Sequence, residues 1–494
     1  MPNRRRFLAL ATLASSAGLP FLSACTSGTK QTDVVIIGAG HSGLAAAVSA
    51  AQQGAKVTVI EKRPFVGLNT HSDRGFFASS LSPKGLPSYG DSPENHFQQS
   101  YSAGSSLADV ELLRTYARKA PETLAWLDSL GMRFAENPIN SNSLWRRCYQ
   151  PLHSGYTETL YREALIRGVE FVFGHPVESL AIRNDKTCSV SAKNVKGESE
   201  TWEARKAVIL CSGGFGANKE LIAQYAPRYK DLNSDNELGS TGEVLLLAQK
   251  IGAGLTGMDR ISCLPRPPGN LHSQGYLHLD LSRFLYINGN GKRFVSEDAL
   301  RPQITQAFFE QGNRNIFEIA DDATVNGYQM DIQRDLWRGI ENGTVFRGKT
   351  LEDLAEKIAV PASSLAETVS RHNHYVEQKE DLEFGKSQVN LSHKLEIAPF
   401  WAVRVEMMVH ETLGGLIVDP LCRVLTEDGL PIKGLYAAGS IIGNLHGDNR
   451  LGGNGISSAI TLGKLAENFI GYETKVVFYF NCLLSGDSSS AFTK

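Results

Sequence analysis

The chain has 494 residues, of which 42% are hydrophobic and 21% are charged. That length and composition can bury a substantial core, and they favour two or more domains over one. The 50 Lys and Arg residues nearly balance the 52 Asp and Glu residues, giving a formal net charge of −2. Proteins that bind nucleic acids carry basic patches, so this balance argues against that class of function.

The first 29 residues predict an export signal rather than part of the fold. Arg4-Arg5-Arg6-Phe7-Leu8 precedes a short apolar stretch that ends at Leu22, which is the twin-arginine pattern. Leu22 to Cys25 then resembles a bacterial lipobox, in which Cys25 is lipidated and becomes the new N-terminus. The alternative is an ordinary soluble signal with an incidental cysteine. Both interpretations predict a periplasmic or extracytoplasmic protein, and the first adds a lipid anchor at Cys25.

The remaining cysteines predict neither a metal site nor a haem centre. No two of them have the two-residue spacing of a zinc or redox pair, and the sequence has no Cys-x-x-Cys-His motif for covalent haem. These cysteines are Cys148, Cys188, Cys211, Cys263, Cys422 and Cys482.

A strand pattern, a glycine-rich turn and a helical pattern follow one another near the start of the mature chain. Asp33 to Ile37 is a β-branched run, Gly38 to Gly43 has the pattern Gly-x-Gly-x-x-Gly, and Leu44 to Gln53 is alanine-rich. A second strand pattern, Lys56 to Ile60, ends in Glu61. A glycine fingerprint inside such a βαβ unit, with an acid at the tip of the second strand, predicts a dinucleotide-binding site.

Each position of the βαβ unit has a physical reason. Gly38 permits the tight turn, Gly40 lets the backbone approach a pyrophosphate, and Gly43 lets the helix pack on the strand. The helix N-terminus attracts phosphate charge, and Glu61 can accept hydrogen bonds from ribose hydroxyls. The alternative is a glycine turn in an α/β fold that holds no ligand.

The rest of the chain predicts a nucleotide-binding domain interrupted by a second domain. Ser92 to Leu130 has a helical pattern, and strand and glycine-loop patterns return from Gly414 to Gly439. The stretch between them, from about residue 256 to 409, has no dinucleotide signal. Further strand patterns are Phe171 to Phe173, Val177 to Ile182 and Ala207 to Leu210.

We therefore predict an α/β fold in which a Rossmann-like domain is interrupted by an α+β capping domain. The predicted divisions are residues 1–29 for the signal, 30–255 and 410–474 for the two parts of the nucleotide-binding domain, 256–409 for the capping domain and 475–494 for an atypical tail.

Three later segments carry a family resemblance. They are His446 to Ile456, with the sequence HGDNRLGGNGI, His410 to Gly415, with the sequence HETLGG, and Gly434 to Gly439, with the sequence GLYAAG. In order and spacing they are similar to the flavin-proximal motif, the histidine motif and the late strand of the fumarate reductase and succinate dehydrogenase flavoproteins. With the glycine fingerprint and Lys292 to Val295, the resemblance extends from Asp33 to Tyr472. It is closest to exported flavocytochrome-c-type members of the fumarate and urocanate reductase kind, here without a haem domain.

The resemblance implies FAD as the cofactor. In the membrane-bound relatives a histidine one residue before a threonine bonds covalently to the flavin, and here Asn69 precedes Thr70. We therefore expect non-covalent FAD, with neighbouring His71 either close to the flavin or an ordinary loop residue. The FAD contacts implied by the resemblance are Gly38, Gly40, Gly43, Glu61, Lys62, Asn69, Thr70, Val177, Gly213, Gly439, Asn454 and Ile456.

The resemblance also implies three catalytic residues. His410 and Arg450 would grip a substrate carboxylate, which suits the planar donor fork of arginine and the directed donor of histidine. Arg301, after the strand pattern Arg-Phe-Val-x-Glu, would donate a proton. The alternatives are an ion pair beneath the flavin for Arg450, a core histidine for His410 and a surface arginine for Arg301.

The sequence also departs from the family pattern. The family's dicarboxylate reductases carry Thr-Glu-x-x-Arg where this chain has Tyr276 to Asp280, and a His-Pro pair where it has Leu264-Pro265. A glutamate of the late Ala-Gly motif is Ser440 here. These changes remove a grip on a second carboxylate and part of a proton relay, so a monocarboxylate or another substrate is favoured over fumarate.

The resemblance implies hydride transfer from flavin N5 to the β-carbon of an α,β-unsaturated acid, such as a fumarate-like or urocanate-like enoate. Electrons would arrive from an external carrier, a cytochrome or another flavoprotein. One rival is a flavin dehydrogenase of the 3-ketosteroid-desaturating type, with Tyr276 and Tyr286 as candidate acid and base. The other is a non-catalytic electron-transfer flavoprotein, which the missing relay residues would allow.

Overall fold

The computed structural model of the protein describes residues 29–67, 75–140, 145–183, 187–268 and 275–466. Several sequence predictions fall outside these ranges. They are the twin-arginine signal, Cys25, Asn69, Thr70 with His71, and the tail from residue 475.

The strands and helices of the described residues are as follows. The strands are β1 Lys30–Ile37, β2 Val57–Glu61, β3 Phe77–Ala78, β4 Cys148–Tyr149, β5 Glu170–Phe173, β6 Val177–Arg183, β7 Thr187–Lys193, β8 Ser199–Leu210, β9 Leu255–Thr256, β10 Ile261–Arg266, β11 Leu285–Ile287, β12 Ile316–Asp321, β13 Val345–Gly348, β14 Phe400–Thr412, β15 Gly415–Leu416, β16 Arg423–Leu425 and β17 Pro431–Ala437. The α-helices are α1 His41–Gln52, α2 Pro93–Ala103, α3 Val110–Ser129, α4 Tyr156–Ile166, α5 Lys219–Tyr225, α6 Glu243–Lys250, α7 Arg301–Glu310, α8 Asp322–Asn326, α9 Met330–Glu341, α10 Leu351–Lys357, α11 Ala362–Gln378 and α12 Asn454–Leu465. Short 3₁₀ turns lie at Pro227–Tyr229 and Gln388–Asn390.

The larger sheet has a parallel centre with the strand order β5-β2-β1-β8-β17. The edge strand β16 and the β6–β7 hairpin join it antiparallel. Val34 to Ile37 are almost fully buried, as expected for a parallel strand that is covered on both faces. The carboxyl ends of β1 and β2 therefore lie side by side, with Ile37 opposite Ile60, and they bring the glycine turn next to Glu61.

The second sheet is antiparallel, with the order β10-β14-β12-β11 and β13 paired to β14. Its long strand β14 runs across the predicted domain boundary between residues 409 and 410. Helices α10 and α11 cover this sheet with a separate apolar cluster that includes Leu285, Leu354 and Leu365. The division of the chain into domains stays a prediction. No helix of the described ranges is long and apolar enough to cross a membrane.

The structure differs from the sequence expectations at three places. The helical stretch from 92 to 130 is two helices, α2 and α3, because the chain turns at Ser105 and Ser106 with φ of 55° and 59°. Strand β8 begins eight residues earlier than the expected Ala207, at Ser199, because its polar first half pairs with β7. The expected strand at Arg293 is wrong: this segment has only an isolated bridge to Ile287.

Candidate active site

One cavity of about 360 Å³ lies where the two sheets meet. Its wall combines the glycine turn after β1, the loop after β8, the ends of β10 and β14, and the start of α12. Among the predicted site residues it collects Gly38, Gly40, Glu61, Lys62, Val177, Gly213, Gly439, Ile456, Arg301, His410 and Arg450.

The glycine turn brings backbone to this cavity. Gly38 has φ of +102°, and a Cβ there would overlap the carbonyl of Cys211. A Cβ on Gly43 would overlap the carbonyl oxygen of Gly38, so Gly43 allows α1 to pack on the turn and does not itself line the cavity. Gly40 lines the cavity, and a Cβ there would meet no protein atom within 4 Å. This arrangement fits a pyrophosphate that approaches the backbone at Gly40 and the N-terminus of α1.

Glu61 is prepared to accept hydrogen bonds from a ligand. Its carboxylate is buried, and the backbone N–H groups of Ala39 and Arg63 each donate to one of its oxygens at 2.8 Å. Burial raises the pKa of Glu61, while these two hydrogen bonds oppose that shift. Each oxygen has a second lone pair, which suits the two hydroxyls of a ribose.

Two predicted cofactor residues already have protein partners. Lys62 lines the cavity, but its Nζ is 2.7 Å from a carboxylate oxygen of Glu243 and donates to Thr241 Oγ1 at 2.9 Å. The structure does not bring Asn454 into the cavity wall. Its side chain is buried, with Oδ1 3.0 Å from His96 Nε2 and Nδ2 3.0 Å from Ser100 Oγ, so it anchors the start of α12.

Arg301 is the first residue of α7 and faces the cavity from the second sheet's side. Its Nη1 donates to Ser262 Oγ at 3.1 Å, and it has no carboxylate partner among the residues that the structure describes. Desolvation and the nearby Arg450 cation lower the pKa of Arg301 to about 9. A guanidinium in this position is a stronger acid than one in water.

His410 is oriented by a buried carboxylate. Its Nδ1 donates to Asp235 at 2.8 Å, and Asp235 also accepts from Arg266 Nε at 2.9 Å. Burial alone would raise the pKa of Asp235, but His410 and Arg266 hold it well below its usual range. Burial lowers the pKa of His410, so the ring is neutral near pH 7 and Nε2 is the atom left for a ligand.

Arg450 forms a buried ion pair. Its Nε donates to Glu411, and Ser440 donates to the other oxygen of that carboxylate at 2.9 Å. Burial would raise the pKa of Glu411, but Arg450 holds it at about 2. Position 440, where the family motif has a glutamate, is thus a serine in this chain, and its hydroxyl donates a hydrogen bond to Glu411. Arg450 Nη1 donates to the Leu451 carbonyl, so one edge of its fork is used within the protein.

Sequence reasoning missed Asp235, Glu411 and Ser262. Glu411 lies inside the HETLGG motif beside His410, so the motif itself could have indicated it. Asp235 lies in a loop without a recognisable motif, and it reaches His410 only because that loop runs along β14, with Asp235 N–H bonded to the Val409 carbonyl. Ser262 likewise depends on the pairing of β10 with β14.

The fold and the site define a flavoprotein. The FAD binding domain family matches residues 33–456, and the chain belongs to that family. The glycine turn, Glu61 and the start of α12 fit the dinucleotide half of FAD on their own geometry. The protein is thus an FAD-dependent oxidoreductase, similar to fumarate reductases.

Curated relatives are named as reductases of unsaturated acids. The chain is 29% identical to "Probable fumarate reductase Ifc3" of Shewanella frigidimarina over 89% of its length and 74% of the relative. It is also 29% identical to "NADH:acrylate oxidoreductase" of Vibrio harveyi over 88% of its length, and it spans only half of that longer relative. Among solved structures, the open conformation of a flavocytochrome c3 fumarate reductase superposes with a TM-score of 0.72 and 28% identity, covering 89% of this chain and 78% of that one.

Proposed function

We propose that the protein reduces the C=C bond of an α,β-unsaturated carboxylate. The observation that carries the proposal is the meeting of Arg301, His410 and Arg450 in one cavity with the glycine turn. The names of the relatives, which include fumarate and acrylate reductases, support the same reaction class. FAD, when bound, supplies the hydride, and the protein supplies orientation and charge.

His410 and Arg450 hold the substrate carboxylate in this proposal. The free edge of the Arg450 fork can donate to a carboxylate oxygen. His410 is neutral in the free protein, so it gains a proton when the carboxylate approaches Nε2, because a neighbouring anion raises a histidine pKa. Substrate binding should therefore take up a proton, and affinity should weaken as pH rises.

Arg301 donates the proton that completes the reduction at the α-carbon. The guanidinium stabilises the negative charge that develops on the enoate in the transition state, and it then donates its proton to the α-carbon. The lowered pKa of Arg301, about 9, favours this transfer. Asp235 is a positioning residue, because it fixes the ring of His410 without facing the substrate itself.

Anaerobic reoxidation of the dithionite-reduced protein tests the proposed reaction. Enoates should oxidise the bound flavin in single-turnover mixing and yield the saturated acid. A saturated 3-ketosteroid cannot reoxidise the reduced flavin. If the enzyme desaturates ketones, the same steroid should instead reduce the flavin of the oxidised protein. A non-catalytic flavoprotein would respond to neither substrate.

The ketone-desaturating reaction is the second candidate because Tyr276 and Tyr286 both line the cavity. Tyr286 is buried, and desolvation with the nearby Glu318 charge raises its pKa well above the usual value. That shift opposes a role for Tyr286 as a base, so we favour enoate reduction.

The FAD is proposed to be non-covalent, because Asn69 stands where the membrane-bound relatives carry the linking histidine. Acid or heat should release all of the flavin into the supernatant. Flavin that stays with the precipitated protein would contradict this, and a His71→Ala variant would then show whether His71 forms the bond.

The protein is proposed to work outside the cytoplasm, attached to the membrane by a lipid at Cys25, with electrons from an external cytochrome or flavoprotein. Cys25→Ala should move it from the membrane fraction to the soluble periplasmic fraction. If the variant stays with the membrane, a partner and not a lipid holds it there.

A further inference from the structure

The part of the cavity wall formed by residues 264–266 and 276–304 is mainly apolar. Besides the charged residues already described and Glu297, which is paired with Arg293 and Lys386, this part of the wall presents two tyrosine rings and several aliphatic side chains. The lining side chains are Leu264, Leu279, Leu281, Tyr286 and Ile304, with Tyr276 and His278 beside them.

Tyr276 and His278 form a fixed ring pair. Their rings stack with centroids 4.6 Å apart and planes inclined by 20°. His278 Nδ1 donates to buried Glu318 at 2.5 Å, and its Nε2 lies 3.3 Å from Arg266 Nη1. The Arg266 guanidinium also lies 5.1 Å from the Tyr276 ring centroid. Hydrogen bonds hold His278, and contacts with His278 and Arg266 hold the Tyr276 ring, so a ligand would meet aromatic surface that is already ordered.

The cations of this wall can neutralise one further carboxylate. Arg266 is paired with Asp235 and Arg450 with Glu411. His410 shares Asp235. Among the cavity-wall arginines of the described ranges, Arg301 differs because it donates a hydrogen bond to a hydroxyl, Ser262 Oγ, and not to a carboxylate. The proton that His410 takes up on binding serves the carboxylate in its own corner. A second carboxylate at the β-carbon would lie against apolar side chains such as Leu264, Leu279 and Leu281, which is unfavourable.

We propose that the substrate is a monocarboxylic enoate whose β-carbon carries a flat, uncharged π system, such as an aryl or heteroaryl ring, that lies against the Tyr276–His278 pair. The inference rests on the proposed function and deepens it by naming the substrate class. The carboxylate occupies the Arg301, His410 and Arg450 corner, and the ring takes the place that a second carboxylate has in a dicarboxylate substrate.

A panel of enoates with different β-substituents tests this substrate class. Acrylate, crotonate, fumarate, cinnamate and urocanate should be compared by kcat/KM with the reduced holoenzyme. Cinnamate or urocanate should have the largest value. If fumarate or acrylate is preferred over both ring-bearing acids, the inference is wrong while enoate reduction stands. If no enoate is reduced, the proposed function fails, and the inference fails with it.

Two variants of Tyr276 test the role of the ring pair. Tyr276→Leu should lower the ratio of kcat/KM for cinnamate to kcat/KM for acrylate by about threefold to tenfold. This is the range expected when the interaction energy of one aromatic pair is lost. Tyr276→Phe retains the ring and should keep the wild-type ratio. A merely structural tyrosine would change both substrates alike, and an unchanged ratio in Tyr276→Leu would overturn the proposed position of the ring.

Binding of the saturated products gives a readout that does not depend on turnover. Titration of the oxidised holoenzyme, followed by flavin absorbance, should show 3-phenylpropanoate binding more tightly than propanoate. Tyr276→Leu should reduce that difference, and Tyr276→Phe should preserve it. Equal affinities of the wild-type protein for the two acids would contradict the inference.

Discussion

The turn at residues 38–43 meets the cavity with backbone, whereas the wall that holds Arg301, His410 and Arg450 meets it with polar and charged side chains. The first region, which we call the nucleotide side, consists of chain neighbours and needs small residues. The second, the substrate side, joins β10, β14, α7 and the loop before α12, and it needs paired charges. A diphosphate can be bound by the backbone N–H groups that every residue except proline has, while protonation of a carbon needs one particular acid.

The two sides should therefore fail in opposite ways. Adding a methyl group should damage the nucleotide side, because its backbone has no room at Gly38 or Gly43. Removing a side chain should damage the substrate side and leave FAD binding intact. The variants below separate these two kinds of damage.

The largest effect is expected from Arg301→Ala. Loss of one general acid costs on the order of 10²–10⁴ in rate, and FAD content should stay normal because the residue acts in the transition state. The measurement is single-turnover reoxidation by an enoate, with flavin content from absorbance. Exposed Arg314, just after α7, offers the control variant Arg314→Ala. Turnover within about threefold of wild type, well short of that loss, would refute the acid role of Arg301.

Gly43→Ala should act on the nucleotide side. Its Cβ would overlap the Gly38 carbonyl oxygen, and overpacking of this kind costs about 1–3 kcal/mol. That strain should weaken FAD binding by about tenfold to a hundredfold, measured by titrating the apoprotein. Gly54→Ala is the control, because Gly54 has φ of +79° at the other end of α1 but open space around it. Equal FAD affinity in the two variants would argue against the packing role of Gly43.

The rate should fall as pH rises through about 9. Desolvation and the Arg450 cation lower the pKa of Arg301 to about 9, so the proton needed for transfer is lost above that pH. At saturating enoate, kcat should fall about tenfold per pH unit on the alkaline limb, whereas kcat/KM also includes the proton that His410 takes up on binding. In Arg301→Lys the limb should move to lower pH, because the ordinary pKa of lysine is about 10.4, below that of arginine. An alkaline limb at the same pH in both proteins would show that another group titrates.

The smallest effect is expected from Asp298→Asn, and it is an effect on the free energy of unfolding. Asp298 lies in the turn that leads to Arg301. Asp298 Oδ2 accepts from the Ser387 N–H at 2.9 Å and from Asn390 Nδ2 at 2.8 Å. Losing the charge should lower the free energy of unfolding by about 1–2 kcal/mol near neutral pH. The exposed Asp428→Asn variant is the control for charge alone.

Acid should erase the difference between Asp298→Asn and wild type. Burial opposes the charge of Asp298, but its hydrogen bonds lower the pKa below the ordinary 3.8. The stabilisation by the carboxylate is therefore present above 3.8 and lost as pH falls through the lower folded pKa. Denaturant unfolding at neutral and acid pH measures this. A constant difference down to the acid limit would contradict it.

Much of the nucleotide side could be predicted from the sequence. The strand, the glycine turn, the helix and Glu61 are contiguous, and their backbone conformations depend on near neighbours. The expected strands Asp33 to Ile37 and Lys56 to Ile60 lie within one or a few residues of the observed β1 and β2. Asn454 shows the limit of motif transfer, because its side chain is used within the protein, by His96 and Ser100.

The sequence by itself determined the FAD-binding unit, the flavoprotein family and the identities of the residues expected to act on a carboxylate. Only the tertiary structure decided how those residues are paired. Asp235 and His410 are 175 positions apart, and no local pattern connects them. Their contact depends on where a loop meets β14, just as the Arg301–Ser262 contact depends on α7 facing β10. Pairing of charges across such distances follows from strand register and packing, which a contiguous motif does not encode.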